Sequence, residues 1–176
     1  MTCRTFHWVA IPGTLLALAL AVHGVRANAE ITSVPLRIYR LTAGSTFARG
    51  CFPPCLCPVL VSTDLHGTFT LTPLRTEPPS LFDVFAVRDV RWKVKIGSSE
   101  GAITGSGTYE RGGEFALEQR LALDLAIGGD NPQHFDSGFV VGGSEFPKIS
   151  IAVSLNSGTC FDTVIDVRAE PLPGCL

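Results

Sequence analysis

Two stretches of this chain alternate apolar and charged residues so regularly that only an extended backbone sorts the two kinds onto opposite sides. In 82–96, Val90, Trp92, Val94 and Ile96 alternate with Asp89, Arg91, Lys93 and Lys95. In 115–127, Phe115, Leu117, Leu121, Leu123, Leu125 and Ile127 take odd positions, and Glu118, Arg120 and Asp124 take even ones. Successive side chains of a strand point to opposite faces, whereas a helix would scatter those leucines around its circumference. The Ala, Leu, Glu and Gln content of 115–127 suits a helix by propensity. The period-two pattern overrides it and predicts a long strand with its odd positions, Phe115 included, facing a core.

Further alternation predicts more strands. Over 66–73, Phe69 and Leu71 lie on one face, with Thr68, Thr70 and Thr72 on the other. Ile149, Ile151, Val153 and Leu155 form another apolar row. Phe161, Ile165 and Val167 alternate with Asp162, Asp166 and Arg168, which sets Asp162 and Asp166 on one outward face. Weaker strands are expected at 36–41, 103–109 and 138–141. Gly97-Ser98-Ser99-Glu100-Gly101, Arg111-Gly112-Gly113 and Asn156-Ser157-Gly158 separate neighbouring strands, and Gly and Asn supply the positive φ of tight hairpins. The expectation is an all-β protein, about eight antiparallel strands forming a single barrel or sandwich.

The first thirty residues follow a different rule. Arg4 precedes an apolar run from Val9 to Val25, and Ala27-Asn28-Ala29 has the small-x-small pattern of a signal-peptidase site. These are the three parts of a secretory signal peptide over 1–29, leaving a single domain over 30–176. The run contains Pro12, Gly13, His23 and Gly24, and its purely apolar core is shorter than the ~20 residues of a spanning helix. A secreted or periplasmic protein with no transmembrane segment after cleavage is therefore expected. The whole chain carries a net charge of -2. Removing Arg4 and Arg26 leaves 14 − 2 = 12 basic residues against 16 acidic ones, a net charge of -4. No basic patch exists to release counterions from a phosphate backbone, which excludes nucleic acid as a partner.

Cleavage also leaves Cys51, Cys55, Cys57, Cys160 and Cys175. Three of them fall in Cys51-Phe52-Pro53-Pro54-Cys55-Leu56-Cys57-Pro58. In an exported chain, disulfide bonding is the first reading of such a cluster. Five thiols allow two bridges and one left over. A Cys55–Cys57 bridge closes a very small ring. Proline also restricts closure of Cys51–Cys57. At least one bridge is thus expected to run from this loop to Cys160 or Cys175. The competing reading is a thiolate metal site, Cys-x-x-x-Cys-x-Cys, but the second knuckle of a zinc site is missing. No metal or other cofactor is assigned.

Catalytic motifs are weak. Gly97-x-Ser99-x-Gly101 matches a nucleophile elbow in form, but that motif needs a strand-to-helix turn and here a strand follows. Asp130-Asn131-Pro132-Gln133-His134-Phe135-Asp136 is a cluster of ionisable and amide groups that Pro132 marks as a loop. His134 and Asp136 in this segment, with Trp92 on an apolar strand face, are the candidate ligand-binding residues. The absence of a nucleophile–base constellation points to a non-enzymatic module, binding or structural. A barrel-type carrier of a lipid or other apolar small molecule is the alternative.

Tyr39-x-Leu41 with Ser45-x-Phe47, then Gly67-x-Phe69, then Phe146-Pro147-x-Ile149-x-Ile151, resembles the YceI-like family of exported, lipocalin-type barrels. The resemblance implies a barrel and, by extension, a long isoprenoid ligand. The family's Asp and His are missing from the opening motif, so no binding residue is carried over.

Overall fold

The computed structural model describes residues 36–55, 57–74, 80–97 and 99–173. The segment 1–29, expected from sequence to be a signal peptide, and Cys175 lie outside the described residues. Ten strands follow one another: β1 (Arg37–Leu41), β2 (Thr46–Phe52), β3 (Leu60–Leu74), β4 (Phe82–Ile96), β5 (Ser99–Gly112), β6 (Glu118–Ile127), β7 (Gln133–Asp136), β8 (Val140–Val141), β9 (Ile149–Ser154) and β10 (Cys160–Pro171). Every pairing is antiparallel, and the described residues contain no helix.

The sheet closes on itself. β2 pairs β3, each strand from β3 to β6 pairs the next, β7 meets β9 at Asp136–Ser154, and β9 pairs β10, which returns to β2, while β8 pairs β6 off this ring. β1 and β2 share one place in this ring. Both run antiparallel between β10 and β3, β1 opposite residues 169–171 and 68–71, β2 opposite 160–166 and 60–64. Ser45, buried at the break between them, substitutes for the missing backbone pairs. Its hydroxyl donates to the Arg168 carbonyl at 2.8 Å and accepts from the Arg168 N–H at 3.0 Å. Its carbonyl accepts from the Leu65 N–H at 2.9 Å. A buried break in a strand needs such substitutes, because an orphaned backbone group costs about as much as a lost hydrogen bond.

Inward-facing side chains from all the long strands fill the ring, as in small barrels. Trp92, Tyr39, Tyr109, Phe135, Leu65 and Ile103 are fully buried. Tyr39 stacks on Phe69 at 5.3 Å between ring centroids, and Phe69 meets Trp92 edge-on at 6.2 Å. In β4 a bulge changes the phase of the alternation. Val87 pairs Gly107 while Val90 pairs Gly105, and Asp89 takes φ +51°. This keeps both Val87 and Val90 inside, though one is odd and the other even. Gly67 holds φ +141°, and a Cβ there would collide with the Arg91 carbonyl of β4.

The alternation located 82–96, 149–154 and most of the expected 115–127, where the strand covers Glu118–Ile127, but three details differ. Phe115 is 95% exposed, not a core residue, because pairing of β5 with β6 ends at Gly112–Glu118 and 113–117 is the connecting loop. Phe161 is 58% exposed at the second position of its strand, opposite Cys51 and directly after Cys160, whose φ is +57°. Asp162 is only 1% exposed while Asp166 is exposed, so the two are not companions on one surface. The hairpin Asn156–Gly158 folds over Asp162, whose carboxylate accepts from the backbone N–H groups of Asn156 (2.8 Å), Gly158 (2.6 Å) and Thr163 (2.6 Å).

Cys51 pairs with Cys57, and Cys55 with Cys160, with Cα–Cα distances of 5.7 and 4.9 Å. Both distances suit a disulfide. The bridge to Cys160 is the long-range one the sequence called for. The Cys51–Cys57 ring forms despite the prolines, because Cys55 is the first residue after a turn closed by its N–H on the Phe52 carbonyl at 3.2 Å. That turn reverses the chain and returns Cys57 to Cys51.

Two expected outcomes follow from this architecture. Leu123→Ala, at a side chain 1% exposed, lowers the urea unfolding free energy by about 2–5 kcal/mol, while Ala122→Ser changes it by less than about 0.5 kcal/mol. Equal losses would overturn the facing of β6. Replacing Cys55 and Cys160 together by serine opens a loop spanning a sequence separation of 105 and costs about 2–5 kcal/mol. An unchanged melting curve would show that the bridge does not constrain the barrel.

Candidate functional site

The strand registers give the barrel two different ends. At one end lie the β2–β3, β4–β5, β6–β7 and β9–β10 connections, and both disulfides are there. At the other, β1, β4, β6 and β9 begin and β3, β5 and β10 finish. A pocket of about 150 Å³ opens at this second end, lined by Arg37, Tyr39, Leu71, Pro73, Phe85 and Phe146.

Each lining residue has a reason to be there. Arg37 and Tyr39 share the inward side of β1 with Leu41, and Arg37, at the strand's first position, remains exposed at the rim. Leu71 and Pro73 occupy the same side of β3, opposite Val87 and Phe85 of β4. Phe146 comes from the β8–β9 loop and closes the aromatic wall. Its ring lies 5.2 Å from Phe85 and 6.1 Å from Tyr109, stacked on the latter with 12° between planes. Arg111 holds that loop in place. Its Nε donates to the Gly143 carbonyl at 2.7 Å, and its guanidinium sits 5.4 Å from the centre of the Phe146 ring.

Behind the aromatic wall the polar groups are satisfied with one exception. The Tyr109 hydroxyl donates to Gln119 Oε1 at 3.0 Å, and Gln119 Nε2 donates to the Ser150 carbonyl at 2.9 Å, linking β5, β6 and β9. Burial pushes the Tyr109 phenol up to about 12, so it stays a donor at neutral pH. The Tyr39 hydroxyl, by contrast, is buried with no hydrogen-bond partner. Burial raises its pKa too, and the Arg37 charge acts in the opposite direction. A buried hydroxyl left without a partner costs about 1–3 kcal/mol.

The residues proposed from sequence do not converge here. Trp92 is 1% exposed in the middle of the core, its indole Nε1 also without a partner. His134 and Asp136 are on the outer wall. Their segment is not a loop, because residues 133–136 pair with 122–125 of β6 to form β7. Asp136 accepts from Arg120 Nε at 3.0 Å, from Arg120 Nη2, and from the Gly138 N–H at 2.8 Å. His134 Nδ1 lies 2.8 Å from Asp124 Oδ1. These contacts clasp β6 to β7. The Arg120 hydrogen bond, followed by the Gly138 N–H and the charges of Arg120 and His134, holds the Asp136 carboxyl below the usual range against a smaller effect of burial. Among the described residues no group of three or more His, Cys, Asp or Glu side chains is arranged to hold a metal ion. A wider hollow of about 470 Å³ lies over the exposed side chains of Asp64, His66, Lys93, Lys95 and Glu100 and has no aromatic wall.

Sequence reading missed Arg37, Phe85 and Phe146 as a group. One signal was present: Arg37 sits in phase with Tyr39 and Leu41, a cation on the core side of a strand. No protein family, curated protein or solved structure matches this chain.

Asp136→Asn lowers stability at pH 7 by about 1 kcal/mol, a modest figure because the pair is partly solvated. A depressed carboxyl stabilises the fold above its unfolded pKa and loses that contribution as pH falls through the folded value. The urea midpoints of wild type and variant therefore converge only in acid, below the ordinary aspartate value of about 3.9. Convergence between pH 5 and 7 would show that the Asp136 carboxyl is not held below its usual range.

Proposed function

We propose that this protein is an exported, secreted or periplasmic, non-enzymatic β-barrel that binds a small apolar molecule in the pocket at the Arg37 end. The observation that carries the reading is the pocket of about 150 Å³ at the barrel mouth, walled by Tyr39, Phe85 and Phe146 with Leu71 and Pro73. Ligand sites are concave, mostly apolar and provided with a few polar groups that fix orientation. An apolar cavity of roughly this volume accepts a single benzene-sized ring. The volume therefore favours one ring over a long isoprenoid chain, which needs the roughly 300 Å³ or more of an ordinary ligand pocket.

Export is supported by two disulfides, which persist in oxidising compartments, and by the apolar segment from Val9 to Val25 with its small-x-small end. Among the described residues no helix is long and apolar enough to cross a membrane. The non-enzymatic part rests on the lack, among the described residues, of a nucleophile with a base in reach. Ser99 is the first residue of β5, paired antiparallel with Ile96 of β4, so it is not on a strand-to-helix elbow.

Thermal unfolding of the oxidised protein with phenol, indole, benzyl alcohol and palmitate provides the test. A bound ring at a hundred times its Kd adds about 2.7 kcal/mol of stability. The expected result is a saturable rise in Tm with the single-ring compounds, reduced at least tenfold in apparent affinity by Phe146→Ala. No rise with any ring compound would overturn the binding reading, and saturable binding of palmitate alone would transfer it to a lipid carrier.

A further inference from the structure

At the disulfide end β3 outruns its neighbour on one side. Over 60–64 it pairs β2, but its pairing with β4 begins only at Leu65–Val94, and among the described residues no strand lies on that side of Leu60–Asp64. The hollow of about 470 Å³ separates Thr63 and Asp64 from Lys95 and Glu100 of the β4–β5 hairpin. The Val59 carbonyl accepts from the Cys51 N–H, and the Leu65 N–H donates to the Ser45 carbonyl, so the odd positions here turn their backbone groups toward β2. The N–H and C=O of Leu60 and Ser62 therefore point to the open side. Folded proteins blunt such an edge with charges, proline or a covering loop. This one reads Val59-Leu60-Val61-Ser62-Thr63 and carries no charge. Val59, Leu60 and Val61 are each more than half exposed, and Phe161, opposite Cys51 in the same rung as Val59, extends the apolar surface.

We infer that two copies of the chain pair through this edge, antiparallel about a two-fold axis at Val61. In that register Leu60 of each copy lies opposite Ser62 of the other, and each such pair exchanges both of its backbone hydrogen bonds. The open groups of the two edges thus satisfy one another. Val61 meets Val61 as a non-hydrogen-bonded pair, with Cα atoms about 4.5 Å apart, and Val59 meets Thr63. The edge fits itself in length as well as in pattern. At one limit Pro58 has no N–H, and the chain turns back so that Cys57 bonds Cys51 on the β2 side, away from the open edge. At the other limit β4 takes up the pairing at Leu65. An axis at Ser62 would instead set Val59 of the second copy opposite Leu65, where Val94 already stands. Asp64 falls opposite Pro58, outside the ladder, so no like charges oppose each other along it. A contact made by the same patch on both copies closes as a dimer. The pocket lined by Arg37 opens at the other end of the barrel, so pairing leaves it accessible.

Sedimentation equilibrium of the oxidised protein over a wide range of concentration tests the pairing, with Cys175→Ser throughout so that no bridge between chains forms through that thiol. The expected result is a reversible monomer–dimer equilibrium. Val61→Lys sets two ammonium groups against each other at the axis and weakens the dimer at least tenfold. It leaves the melting temperature of the dilute monomer unchanged, because the side chain is exposed there. Val141→Lys, at an exposed valine of the pocket end, leaves the dimer within twofold. Hydrogen exchange reads the ladder directly in the protein with Val61 intact: the Leu60 and Ser62 amides slow as concentration rises, because they are bonded only in the dimer. A monomer at every concentration would overturn the inference. So would a dimer that Val61→Lys leaves intact, or that Val141→Lys weakens equally. A dimer whose Leu60 and Ser62 amides exchange as fast as in the monomer would overturn it too, since the contact then lies elsewhere.

Discussion

Closure of the hydrogen-bonded ring through β10 is the interaction on which the rest of the structure depends. β10 pairs β9 along one side and the composite of β2 and β1 along the other, so the first and last strands of the fold satisfy each other's edges. Without that pairing the sheet would present two long unpaired edges, which invite association with other chains. Closure also creates the interior. Inward side chains of opposite walls meet only because the ring is complete, and along one wall the neighbouring strands β1, β3 and β4 set Tyr39, Phe69 and Trp92 in a row. Ser45 is small but central here, because its hydroxyl keeps β10 engaged where β1 gives way to β2.

The two ends of the barrel divide the work of stability and binding. At one end, Cys55–Cys160 ties the β2–β3 loop to the start of β10, and Cys51–Cys57 ties that loop to itself. Asp162 adds a carboxylate that caps the neighbouring hairpin. The other end has no disulfide among its described residues, and its pocket is formed by aromatic rings and one held loop. Arg111 keeps Phe146 over Tyr109 and Phe85, so the wall is ordered by a cation on a ring face and one hydrogen bond. Rigid closure at one end leaves the other free to carry a cavity, the usual place for a site in the mouth of a barrel.

A good part of this was present in the residues themselves. Alternation in 82–96 and 118–127 dictated strands, because a period of two cannot be satisfied by a helix. Glycine and asparagine between those runs dictated hairpins, and consecutive hairpins dictate an antiparallel sheet. The crowding of three cysteines near Pro53 and Pro54 announced a bridged loop, and a long-range partner for it followed from the small rings available inside it. Such inferences are local: each needs only a few neighbouring residues and the stereochemistry of the backbone.

What tertiary structure alone decided is where strands end and what meets across the barrel. Phe115 continues the alternating row in sequence, yet it stands in solvent because its neighbour strand stops at Gly112. His134 and Asp136 looked like loop residues near a site, and pairing with β6 made them part of an outer clasp. The pocket is the strongest case. Arg37, Leu71, Phe85 and Phe146 come from β1, β3, β4 and the β8–β9 loop, separated by up to a hundred or so positions, and no local pattern joins them. Periodicity assigns a side chain to a face, but the register between strands and the closure of the ring decide which faces share one space.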